Sequence, residues 1–177
     1  LSPNYSGTRD GFITKFTASG TRLWGRYFGG NAIDQLWSCD TDIAGSIHVC
    51  GSTSSTSGIA TNVAHQALYG GVYSDGYFGR FKPDGTLMNA SYYGGADTDF
   101  LNSIAVTPGA TIHVAGKGYS GNNISTTGAW STNYQGSYEG ILASMCTTQE
   151  AWVTTTLETC AGAADGSIAV QLTGGGI

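Results

Sequence analysis

Residues 9–53 align with residues 74–118 at a constant offset of 65, without a gap, and 15 of the 45 positions are identical. The identities begin at Asp10/Asp75 and Gly11/Gly76 and run through Tyr27/Tyr92, Gly29/Gly94 and Gly30/Gly95. They continue at Asp34/Asp99 and close with Ile47, His48, Val49 and Gly51 against Ile112, His113, Val114 and Gly116. A chain that repeats at this period is built from one supersecondary unit that buries its apolar face against its neighbours. Partial copies flank the pair: residues 5–12 match 69–77 with one residue missing, and the pattern returns at 134–141. The chain therefore divides into the tail of a preceding repeat (1–8), two units with their trailing loops (9–73 and 74–137), the start of a further unit (138–150) and a different tail (151–177).

Four strand-like runs stand in the first copy: 11–17, 22–28, 36–42 and 46–52. Twenty-eight glycines and only 11% charged residues, with many aromatic and β-branched side chains, suit short strands joined by tight turns. Gly20 and Gly85 stand third in three-residue loops, where a type I turn ends on a left-handed residue. Four consecutive antiparallel strands per unit predict an all-β fold of β-propeller blades, one blade per repeat. Residues 53–74 and 119–137 then read as long loops between blades, with room for specificity. Two blades and fragments do not close a ring, so the terminal faces are expected to be bare. If such a face carries on the order of 500 Å² of apolar surface, its exposure costs roughly 12 kcal/mol, comparable with a domain's whole stability. Partners are thus expected to be further blades of the same protein or neighbouring subunits.

Several classes are disfavoured. The net charge of -5 is spread without a basic stripe, which argues against nucleic acid. No apolar run approaches the roughly 18 residues of a membrane-spanning helix. The cysteines and histidines lack zinc-ligand spacing, and no Gly-x-Ser-x-Gly nucleophile context occurs. No paired carboxylates stand out as flanking a cleft, so the expectation is a non-enzymatic chain. The chain opens at Leu1-Ser2-Pro3 without Met, and the natural N-terminus is expected upstream.

The run Asp10–Phe16, the segment Tyr27–Gly30, Ile104-Ala105-Val106 and Ile112–Gly116 together resemble the bacterial β-propeller repeats known as SBBP. The resemblance spans about residues 1–146; Cys39-Asp40-Thr41 departs from it where Ile-Ala-Val is usual. The tail, from Thr159-Cys160 through Asp165-Gly166 and Ile168-Ala169-Val170 to Gly174-Gly175, resembles the opening of the Ig-like (SprB-type) repeat of gliding-motility adhesins. These resemblances imply a large exported protein of the Bacteroidota, secreted or held at the bacterial outer surface, often through type IX secretion. They also imply that Cys160 finds its disulfide partner within its own Ig-like domain, with Cys146 as the alternative.

Candidate sites follow from residue type. Tyr69, Tyr73, Trp130, Tyr134 and Tyr138 crowd the long loops, where aromatic faces can stack on sugar rings or pack the loops down. Asp34, Asp97 and Asp99 could hold Ca²⁺ through oxygen, or accept backbone N–H groups in their own turns. Cys39 and Cys50 lie on neighbouring strands, as a disulfide in one register or as two buried thiols in another. His48 and His113 recur, which favours packing over catalysis. Asn4, Asn89 and Asn123 each begin an N-glycosylation tripeptide. The function expected is adhesion or surface-polymer (glycan) binding. A structural spacer or fibre subunit, and a non-catalytic part of a polysaccharide-active enzyme, are the alternatives.

Overall fold

Glycine-punctuated runs of aromatic and β-branched residues make ten strands and no helix among the described residues of the computed structural model, which are 5–109, 111–127, 129, 131, 134, 136, 137, 139–148 and 151–153. The strands are β1 (Gly11–Phe16), β2 (Arg22–Phe28), β3 (Asp34–Thr41), β4 (Ile47–Thr53), β5 (Asp75–Phe81), β6 (Leu87–Tyr93), β7 (Asp99–Val106), β8 (Thr111–Gly118), β9 (Glu139–Thr148) and β10 (Ala151–Val153). All strand pairs in the sheets are antiparallel. The tight turns form as the sequence requires: Gly20 and Gly85 adopt φ of 85° and 82°, and Gly45 follows at 77°. A side chain there would meet the steric penalty of the left-handed region. The Ig-like tail expected beyond residue 153 lies outside the described residues.

The strands lie where the sequence places them, but their grouping differs. The four strands of one repeat are divided between two sheets: β1 pairs only with β2, whereas β3-β4-β5-β6 forms one sheet and β7-β8-β9-β10 another. Residues 53–74 thus connect two hydrogen-bonded neighbours, β4 and β5, instead of two blades. The short link 29–33 carries the chain from one sheet to the next. It succeeds because Asp34 and Ser55 take up its amides: Gly30 N–H donates to Asp34 Oδ2 at 2.8 Å and Ala32 N–H to Ser55 Oγ at 2.8 Å. Gly30 also runs so close to the Ser57 carbonyl that a Cβ would collide with it.

The irregularities repeat as well. Register shifts between Lys15 and Phe16 return between Arg80 and Phe81, and those between Leu36 and Ser38 return between Leu101 and Ser103. Such bulges bend a strand and raise its twist locally.

The β3–β6 sheet is covered on both sides. One face sets Val49, Tyr77, Phe81, Ala90 and Tyr92 against Phe28 of β2. The Phe28 ring lies 5.1 Å from both Tyr77 and Phe81. The other face sets Cys50, Phe78 and Tyr93 against Leu101, Ile104, Ile112 and Val114 of the third sheet. Every residue of β5 is consequently buried, whereas β8 largely alternates between buried and half-buried positions because, among the described residues, only one of its faces is covered. The described residues thus stack three antiparallel layers.

Candidate functional site

The aspartates of the repeat act as internal ties. Asp34 is buried; its Oδ2 accepts from Gly30 N–H and from Ser55 Oγ at 2.8 Å, and Thr53 Oγ1 donates to its Oδ1. Sixty-five residues on, Asp99 Oδ2 accepts from Gly95 N–H at 2.8 Å and from Ser120 Oγ at 2.7 Å. Asp97 N–H donates to Ser120 Oγ at 2.9 Å, as Ala32 does to Ser55. Hydrogen bonds of this charge-assisted kind fix a connection that would otherwise bury free amides. The backbone-accepting role holds for Asp34 and Asp99. Asp97 likewise accepts a backbone N–H, that of its neighbour Thr98 at 2.8 Å, on the exposed side of the turn. Asp34 belongs to one copy and Asp97 and Asp99 to the other. Among the described residues no group of three or more His, Cys, Asp or Glu side chains gathers in a form able to hold a metal ion.

A second carboxylate stands beside each tie. The place of a Cβ on Gly29 lies 2.7 Å from Asp34 Oδ2 and 2.8 Å from Asp10 Oδ1. On Gly94 it lies 2.7 Å from Asp75 Oδ1 and 2.9 Å from Asp99 Oδ2. Asp75 is fully buried, with Gly70 N–H donating to its Oδ2 at 2.8 Å. Desolvation, reinforced by the Asp99 charge, pushes its carboxyl up to about 6 against the hydrogen bonds it accepts.

Sequence reading passed over a buried ionic cluster that joins the β3–β4 turn to β4 and β5. Arg80 Nη2 donates to Asp42 Oδ2 at 2.8 Å and to Ser46 Oγ at 3.1 Å, and His48 Nε2 lies 3.3 Å from the same Asp42 oxygen. Burial works against the Asp42 charge, but the Ser46 N–H, His48 and Arg80 outweigh it and hold the carboxyl down to about 2. Burial lowers His48, which Asp42 only partly offsets. The one available signal was a charged residue, Arg80, between Gly79 and Phe81 in the interior of a fully buried strand. In the outer sheet the equivalent His113 stands on the half-buried side and pairs through Nδ1 with Ser144 Oγ at 2.8 Å.

Among the described residues no ring contact joins Tyr69, Tyr73 and Tyr134 to one another. Tyr69 packs edge-on against Tyr92, 6.0 Å between centroids, and burial with the nearby Asp75 charge pushes its hydroxyl up to about 12. Tyr73 is 76% exposed, and Tyr134 stands partly exposed beside Gly121. Trp130 and Tyr138 lie outside the described residues. His65, which sequence reasoning had not singled out, stacks on Tyr93 at 5.9 Å. An open groove of about 350 Å³ runs between the first two layers, lined among others by Asp10, Tyr27, Gly29, Asn31 and Ser57.

The Cys39–Cys50 disulfide does not form. The bulge after Leu36 sets Cys39 opposite Val49 and Ser38 opposite Cys50, so the two side chains leave opposite faces of the sheet. Cys39 is exposed; Cys50 is buried, its thiol facing the Leu101 carbonyl at 3.7 Å and pushed up to about 12 chiefly by desolvation. Cys146 is disulfide-bonded, and Cys160 lies outside the described residues. Of the glycosylation tripeptides, Asn89 is buried within β6, and Asn4 lies outside the described residues.

No protein-family model matches this chain, and no curated protein matches it.

Proposed function

We propose that this chain is a non-catalytic segment of a large secreted or cell-surface repeat protein of the SBBP-propeller kind, which binds glycans or other surface polymers through aromatic side chains of its loops. The observation that carries the reading is the division of labour between the middle sheet and the loop that leads into it. The core-facing aromatics Tyr77, Tyr92 and Phe78 are consumed by packing, while the loop residue Tyr73 keeps its ring in solvent. Exposed tyrosine faces on a rigid β framework offer sugar rings a stacking surface at small ordering cost. The test is a glycan array probed with the intact chain and with Tyr73→Ala and Tyr134→Ala. A signal that falls at least about tenfold in either variant supports loop binding; a signal indifferent to both removes it.

A structural spacer is the second reading, favoured by the packing of Tyr69 onto Tyr92 and by the exposed Phe12 and Phe16 of the first layer. A spacer predicts no array signal in any form of the chain. Calcium remains a proposed ligand of the turn carboxylates only if added Ca²⁺ raises the melting temperature, and a chelator-treated chain with an unchanged transition would remove it.

A further inference from the structure

The two-stranded sheet β1–β2 is the counterpart, 65 residues earlier, of the β5–β6 half of the middle sheet. That correspondence gives each exposed position of β1–β2 a buried reference. On β5, the edge away from β6 is taken by β4 in the register Ile47↔Phe81, Val49↔Gly79, Gly51↔Tyr77 and Thr53↔Asp75. The matching edge of β1, at Phe16, Thr14, Phe12 and Asp10, pairs with no strand among the described residues. The face is open as well: Phe12 and Phe16 are 70% and 56% exposed, where Tyr77 and Phe81, packed against Phe28 of β2, are both 0%.

The outer edge of β6 is also dressed by the loop that follows β4. Thr61 N–H donates to the Ala90 carbonyl at 3.0 Å, and Tyr92 N–H donates to the Gln66 carbonyl at 3.1 Å. The Gln66 side chain then enters the space beside Gly94 and Asp75, where its Oε1 accepts from Gly94 N–H at 3.0 Å. The counterpart of that space, beside Gly29 and Asp10, is the open groove described above.

We infer that β1–β2 is a half-sheet that receives the strand pair and trailing loop of another repeat unit, a segment with the residue pattern of 31–68. Its β4-type strand adds to the β1 edge with Val49- and Gly51-type residues opposite Thr14 and Phe12. Its loop lies along β2, and its Gln66-type side chain enters the groove at Gly29. The inference rests on the repeat-array reading above and adds the partner, the edge and the register. An apolar edge strand left open is also a template for unspecific pairing, so a fitted occupant removes an aggregation hazard.

The test joins a copy of residues 31–68 directly ahead of Tyr5 in the full chain and follows amide exchange along Gly11–Phe16 by mass spectrometry. Alternate β1 amides should slow at least about tenfold relative to the unextended chain. The same extension carrying Val49→Lys, in the added copy only, should lose that protection while the chain stays folded. Protection that survives this lysine overturns the register. If the extension protects nothing while the unextended chain associates through the Phe12 face, a second copy is the occupant; the strand-pair assignment then falls and the array reading stands. If the chain stays monomeric and folded, with β1 exchanging freely in both forms, both readings fall.

Discussion

The middle sheet and the two-stranded sheet contain counterpart residues in counterpart strands, yet they are different materials. Tyr77 and Phe81 are completely enclosed, and their counterparts Phe12 and Phe16 face solvent over more than half their surface. The chemistry of the positions hardly differs; what differs is whether a neighbour stands on that side. In a stacked repeat, burial belongs to the interface and not to the residue, and stability becomes a sum over neighbouring layers.

This comparison is broken most directly by truncating the same position in both sheets. Tyr77→Ala removes a ring packed 5.1 Å from Phe28 and a hydroxyl that donates to the Phe28 carbonyl at 3.4 Å. It should cost about 3–5 kcal/mol. Phe12→Ala should cost less than about 0.5 kcal/mol, the usual range for an exposed site. Urea denaturation of both variants checks the pair; equal losses would mean that the β1 face is covered in solution.

The next largest effect lies in the ionic cluster. Asp42→Asn leaves Arg80 buried without its counter-charge and should cost about 3 kcal/mol. The outer sheet carries Thr107 and Ser144 at the corresponding places, around a histidine that needs no ion pair. Giving the middle sheet those residues, Asp42→Thr with Arg80→Ser, should recover more than half of the loss, because no charge is then stranded. Thermal melts of the single and double variants decide it. A double variant as weak as the single one would show that the Arg80 stem packs β5 as well as neutralising Asp42.

How much of this was legible follows from which forces act locally. Strand positions and turns were, because alternation and a left-handed glycine are written in consecutive residues: Arg22–Phe28 was read to the residue, and Gly20 and Gly85 close their hairpins as expected. The cut between sheets was not. A circular shift of a repeating unit leaves the list of strands unchanged, and loop length misled, since the long segment 53–74 folds back along its own sheet while residues 29–33 make the crossing. The Asp34 and Asp99 ties were visible as recurring residues, and their backbone-accepting role followed from turn chemistry. The Arg80–Asp42 pair was not visible, because it joins residues 38 apart and occurs in one copy only. Nor could the Cys39 register be read, since it depends on a bulge that no single residue announces.

The smallest expected effect concerns Asp75, enclosed because the middle sheet has neighbours on both sides. A carboxyl raised to about 6 in the folded chain, against 3.8 for the free group, binds protons more strongly when folded. Its contribution is therefore fully present below pH 3.8 and is lost as the pH rises through about 6. His48 has the opposite sign: its lowered value gives stability present above pH 6.5 and lost as the pH falls. Measured alone, the chain's profile mixes the two. Asp75→Asn isolates the first, since the amide keeps the shape of the protonated acid and leaves His48 in place. Between pH 4 and pH 7 the variant should gain on the order of 2 kcal/mol relative to the parent chain, read as the divergence of two urea-midpoint curves. Parallel curves across that interval would mean that Asp75 is ionised in the fold without penalty, which requires water or a cation beside it and an opening in the layer that encloses it.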